Sequence, residues 1–131
     1  MYTGNHVNAR PLQPAFIMAS TGETVTYREL DARSNRLAHL LRNRGLKRLD
    51  HFSIFMENNS RYLEACGAGE RAGLYFTCVN SYLTPSELAY ILDPLDYPPD
   101  LVVAVGDEGG EDLDLAQVEL FLVHRERVPF R

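Results

Sequence analysis

The chain has 131 residues, 45% hydrophobic and 24% charged, with a formal net charge of −5. That length suits one domain, and that composition reads as soluble and globular rather than disordered. An acidic balance argues against nucleic acid and anionic membrane as partners, and no apolar run approaches the ~20 residues of a membrane span.

The start, "MYTGNHVNARPLQPAF", has no basic stretch followed by an apolar one, so no signal peptide is expected and the cytosol is the default compartment. Residues 1–14 read as a lead-in arm. "AFIMA" (15–19), a turn with Gly22 and "VTY" predict a β-hairpin over 15–26. Thr26 and Glu29 form a T-x-x-E capping box. Behind it Tyr27, Leu30, Ser34, Leu37, Ala38 and Leu41 recur at helical spacing, and Gly45 supplies a stop, predicting a helix over 27–44. Arg28, Arg33, Arg36, Arg42, Arg44, Lys47 and Arg48 crowd this segment and read as a solvated face, with an anionic partner as the alternative.

"HFSIFM" (51–56) predicts a buried strand, and Ser60 is placed to cap a helix over about 61–72. "YFTCV" (75–79) predicts a third strand. "TPSE" (84–87) is a second capping box with Pro85 at the first helical position, opening a helix to about Leu92 that Pro94 ends. "LVVAV" (101–105) is a further apolar run. "LDLAQVELFLVHRER" reads as a helix with Leu115, Val118, Leu122 and Val123 inward. This alternation predicts an α/β fold: a mostly parallel sheet with helices on both faces, preceded by a hairpin.

Gly67, Gly69 and Ala72 in "CGAGERAG" fit G-x-G-x-x-[G/A], a dinucleotide pattern. The pattern works only when its first glycine directly follows a strand. Here ten residues separate Met56 from Gly67, and the expected helix has already begun. The structural reading is preferred: small residues let this helix lie close against a sheet. The acidic residue that such a site also needs has only Glu87 to supply it, inside the capping box. Cys66 and Cys78 lack C-x-x-C spacing and read as small buried hydrophobes, with a reactive thiol as the alternative. His6, His39, His51 and His124 are scattered. Asp107, Glu108, Glu111 and Asp112 lack calcium-loop spacing and read as a solvated loop. Between Ala72 and His124 there is no Lys or Arg. No catalytic, cofactor-binding or metal-binding residue is therefore assigned.

"VTYRELDARSNRLAHLLRNRGL" and "FSIFMENNSRYLEACGAGERAGLYFTCVN" resemble successive core segments of the AMP-forming adenylate superfamily, which includes acyl-CoA synthetases, peptide-synthetase adenylation domains and luciferases. "VNSYLTPSELAYIL" (79–92) is similar to the acyl-CoA synthetase branch, through Asn80, Leu83, Thr84, Glu87, Leu88, Tyr90, Ile91 and Leu92. The resemblance covers about residues 10–92. It divides the chain into the arm (1–14), an acyl-CoA synthetase-like N-terminal subdomain (15–92) and a divergent acidic tail (93–131). The tail's end weakly resembles a helix of the family's lid domain.

The resemblance implies an ATP-dependent ligase using magnesium and CoA on a fatty or other carboxylic acid. The carboxylate attacks the α-phosphorus of ATP and expels pyrophosphate, and the CoA thiol then displaces AMP. The family's phosphate loop ending in Pro-Lys-Gly, its Tyr-Gly-x-Thr-Glu segment, its hinge aspartate and its C-terminal lysine have no counterpart here. Lys47, the only lysine, sits in an expected turn. The chain is thus expected to be a truncated ligase that binds none of these cofactors and is inactive alone. The alternative is a non-catalytic interaction or regulatory module, and a small independent nucleotide-binding domain is a third reading. Leu49 stands where the family usually has glycine. Loss of neighbouring strands implies low stability, or self-association through exposed strand edges.

Overall fold

A computed structural model describes residues 3–92, 100–105 and 118–123. The chain divides into two compact units: Met1–Leu49 with Asn58–Leu74, and Asp50–Glu57 with Tyr75–Arg131.

The first unit begins with a single-turn helix, α1 (Gly4–Val7), inside the stretch read as an arm; the His6 ring lies 5.1 Å from that of Tyr27. Strands β1 (Pro14–Ile17) and β2 (Thr24–Thr26) pair antiparallel, as the hairpin reading requires. Their turn is closed by the Met18 N–H donating to the Glu23 carbonyl at 2.8 Å, with Gly22 at φ 75°. Helix α2 (Tyr27–Asn43) starts at the predicted capping box: the Glu29 N–H donates to Thr26 Oγ1, and the Thr26 N–H donates to Glu29 Oε2 at 2.9 Å. Two further amides of its first turn donate to the Gln13 and Pro11 carbonyls, so the segment before β1 completes the cap. The helix ends where Gly45 takes φ 98°.

Helix α3 (Arg61–Ala72) packs on α2. Its N-terminus corrects the sequence reading. Ser60 is itself helical and makes no side-chain cap; instead Asn59 Oδ1 accepts from the Arg61 N–H at 2.9 Å. At the other end Gly73 adopts φ 69°, and the Leu74 N–H reaches back to the Gly69 carbonyl. Of the predicted stripe, Leu30, Ser34, Leu37, Ala38 and Leu41 are buried and Tyr27 is half-buried; Ala65, Ala68 and Ala72 of α3 are buried too.

The second unit holds β3 (His51–Phe55), β4 (Tyr75–Val79), α4 (Pro85–Leu92), β5 (Asp100–Val105) and β6 (Val118–Val123). The sheet order is β4-β3-β5-β6. β4 and β5 both run parallel to β3, as predicted, and β3 is buried over His51–Ile54. β6 runs antiparallel to β5 over six pairs, so the sheet is mixed. This corrects the expected C-terminal helix: Val118–Val123 is a strand. "VELFLV" is rich in β-branched and aromatic residues, and pairing along β5 satisfies its backbone outside a helix. α4 opens on the predicted Thr84–Glu87 box, with the Thr84 N–H donating to Glu87 Oε2 at 2.9 Å. Asp107, Glu108, Glu111 and Asp112, with Leu115 and His124, lie outside the described residues.

Candidate functional site

Gly67 and Gly69 fall inside α3, well past its first turn, and so form no phosphate-cradling loop. Gly67 serves a close approach, but to a helix rather than a sheet. A Cβ on Gly67 would sit 3.1 Å from Ser34 Cβ of α2, tighter than ordinary contact. Ser34 is fully buried and donates its hydroxyl to the Asp31 carbonyl at 3.0 Å.

The most organised polar cluster of the first unit lies beside this contact. Glu64 of α3 is only 2% exposed. Its Oε1 lies 3.2 Å from Arg33 Nη1 and 3.6 Å from Arg61 Nη1, while Arg33 also reaches Glu23 at 4.0 Å. Arg71 pairs with Asp31, joining the helices a second time. Burial pushes the Glu64 carboxyl above its usual range, opposed by the charges of Arg61 and Arg33. The cluster holds carboxylates and guanidiniums against one another, and Glu64 is closed to a substrate. Its role is to lock α2 to α3.

The reading of the arginines as a solvated face holds for Arg28, Arg36, Arg42, Arg44 and Arg48, which are exposed, and fails for Arg33, which turns toward α3. Nothing in the sequence near Arg33 names Glu64, thirty-one residues on, as its partner. Lys47 is exposed in the turn after α2.

In the second unit His51 is buried, and its Nε2 lies 2.7 Å from Thr77 Oγ1. Ser53 is fully buried, and its hydroxyl has no hydrogen-bond partner among the described residues. His39 is exposed. The cysteines are less buried than expected: Cys66 is half-buried and Cys78 exposed. Among the described residues, no three His, Cys, Asp or Glu side chains are grouped to hold a metal, and no helix is long and apolar enough to cross a membrane.

Among the described residues no constellation of side chains defines a reaction, and the chain is placed by its relationships. The sequence matches the family described as AMP-binding enzyme over residues 4–119, and the chain belongs to that family. The matched span runs past Leu92, where the recognisable motifs stop. The chain is 38% identical over 79 residues to 3-oxocholest-4-en-26-oate–CoA ligase of Rhodococcus rhodochrous, covering 60% of this chain and 14% of that protein. It is 30% identical over 109 residues to long-chain fatty acid transport protein 1 of Homo sapiens, covering 79% and 17%. Its fold is similar to that of O-succinylbenzoate coenzyme A synthetase from Bacillus subtilis in complex with AMP: TM-score 0.71, 21% identity, 83% of this chain and 28% of that one. The chain therefore spans under a third of each relative. It corresponds to the N-terminal part of an acyl-CoA synthetase-like, adenylate-forming domain.

Proposed function

We propose that this chain is the structural N-terminal portion of an ATP-dependent acid–thiol ligase and does not activate a carboxylate by itself. The observation that carries this is the family match over residues 4–119 in a chain whose sequence lacks the phosphate loop and the catalytic lysine. Acyl-adenylate formation needs cations and donors on the phosphates and a cation bridging acyl and phosphate oxygens. The arginines closest to an organised site, Arg33, Arg61 and Arg71, are already engaged by Glu64 and Asp31. In the complete ligase, ATP, magnesium and CoA would be bound mainly by the segments this chain does not contain. The substrate class is a carboxylic acid. Similarity to 3-oxocholest-4-en-26-oate–CoA ligase and to long-chain fatty acid transport protein 1 favours a bulky apolar one.

Two measurements test this. ATP–pyrophosphate exchange by the purified chain, with magnesium and acids from acetate to long-chain fatty acids, should not exceed a no-acid control. Exchange above that control refutes the proposal. A chimera in which residues 4–119 replace the matching segment of a complete relative should retain thioester formation. A folded chimera that binds no ATP would show that the segment does not fill that structural role.

A further inference from the structure

We propose that Arg33 is a proton-operated switch arm: with Glu64 ionised its guanidinium is held on α3, and with Glu64 protonated it moves to Glu23 and fastens the β1–β2 turn to α2. One atom, Arg33 Nη1, serves both carboxylates. It lies 3.2 Å from Glu64 Oε1, a hydrogen bond, and 4.0 Å from Glu23 Oε1, the outer limit of an ion pair. The arm therefore leans toward Glu64, and a shift of about 1 Å closes it on Glu23. All three residues belong to the first compact unit.

The two carboxylates differ in what else supports their charge. The Glu64 side chain is 2% exposed, so its charge depends on Arg33 and on Arg61, the latter at 3.6 Å. The Glu23 side chain is 44% exposed, and water supports its charge whether or not Arg33 is near. Protonating Glu64 removes the charge that draws Arg33 inward and leaves its guanidinium facing Glu23. The other charged groups around the cluster do not take that place. Arg36 and Arg61 are cations that act on Glu64, and Asp31 is paired with Arg71. Glu29, which also feels the Arg33 charge, is bound to Thr26 in the helix cap. Burial raises the Glu64 pKa, opposed by Arg61 and Arg33, so the exchange falls above the ordinary value of 4.5.

Glu23 is tied to the turn through its backbone. Its carbonyl accepts from the Met18 N–H at 2.8 Å, and its N–H donates to Thr21 Oγ1 at 3.2 Å. The Gly22 N–H donates to the Met18 carbonyl at 2.8 Å. A pull on the Glu23 side chain is therefore carried into these hydrogen bonds.

Nuclear magnetic resonance on the full 131-residue chain, titrated from acid to neutral pH, tests this. The carboxyl carbon of Glu64 gives its titration midpoint. The Gly22 and Glu23 amide shifts should step at that same midpoint. Exchange of the Met18 and Gly22 amides, relative to their intrinsic rates, should be about two- to fivefold slower on its acid side. Glu64→Gln, neutral at every pH and close in shape, should remove the step and keep the slow exchange throughout. Arg33→Gln should remove the step while Glu64 still titrates, which separates movement of the arm from the bare charge of Glu64 acting at a distance. A turn with no step at the Glu64 midpoint, a step that persists in Arg33→Gln, or a step at the same pH in Glu64→Gln overturns the proposal.

Discussion

Leu49 is held at φ 76°, the left-handed region that a side chain with a Cβ enters at a cost of about 1–2 kcal/mol. It does so in the turn before β3, where its N–H donates to the Gly73 carbonyl at 2.8 Å. Leu49 is 51% exposed, so truncating it forfeits about half of a leucine's burial, roughly 1 kcal/mol. Leu49→Ala loses that burial and keeps the strain. Leu49→Gly loses the same burial, relieves the strain, and gives back about 0.4–1 kcal/mol through a freer unfolded chain. Glycine should therefore exceed alanine here by about 0.5–1 kcal/mol. At a residue with negative φ the order is reversed, so the sign alone decides. Urea titrations of the two variants, compared at equal m-value, measure the difference. A more stable alanine variant would refute the left-handed assignment and the strain with it.

The Glu64 cluster makes two predictions. Arg33→Ala leaves a buried carboxylate with Arg61 as its remaining close cation and should cost about 3 kcal/mol by denaturant titration. Because burial raises the Glu64 pKa, the folded state binds that proton more tightly than the unfolded one. Stability from this group should fall as pH rises from the ordinary value of 4.5 through the raised one, and Glu64→Gln should remove that slope. Glu29 and Glu87 act oppositely. Their capping hydrogen bonds with Thr26 and Thr84 lower their pKa values, so their contribution is present above 4.5 and lost as pH falls through the lowered values. Ser53→Ala removes a buried, unpartnered hydroxyl and should raise the urea midpoint, by about 1 kcal/mol of stability. Gly67→Leu should lower it by about 1–3 kcal/mol through overpacking against Ser34, although leucine is the better helix former.

Local chemistry was legible in the sequence because its causes lie within a few residues. The Thr26–Glu29 and Thr84–Glu87 boxes, the left-handed stop at Gly45, the hairpin turn at Gly22 and the stripe from Leu30 to Leu41 depend on spacing alone, and each formed where that spacing predicts. The family was legible for the same reason, since its motifs are short segments of such spacing. Tertiary structure decided what depends on distant partners. Arg33 sits beside the apolar stripe and resembles its exposed neighbours until α3 brings Glu64 to it. Gly67 meets a helix because Ser34, not a strand, lies beneath it. Val118–Val123 carries apolar spacing that a helix can also use, and only the backbone of β5 alongside selects the strand. Leu49 shows both sides: its sequence marks a departure at a position that favours glycine, but only the backbone reveals that the departure keeps the glycine's conformation.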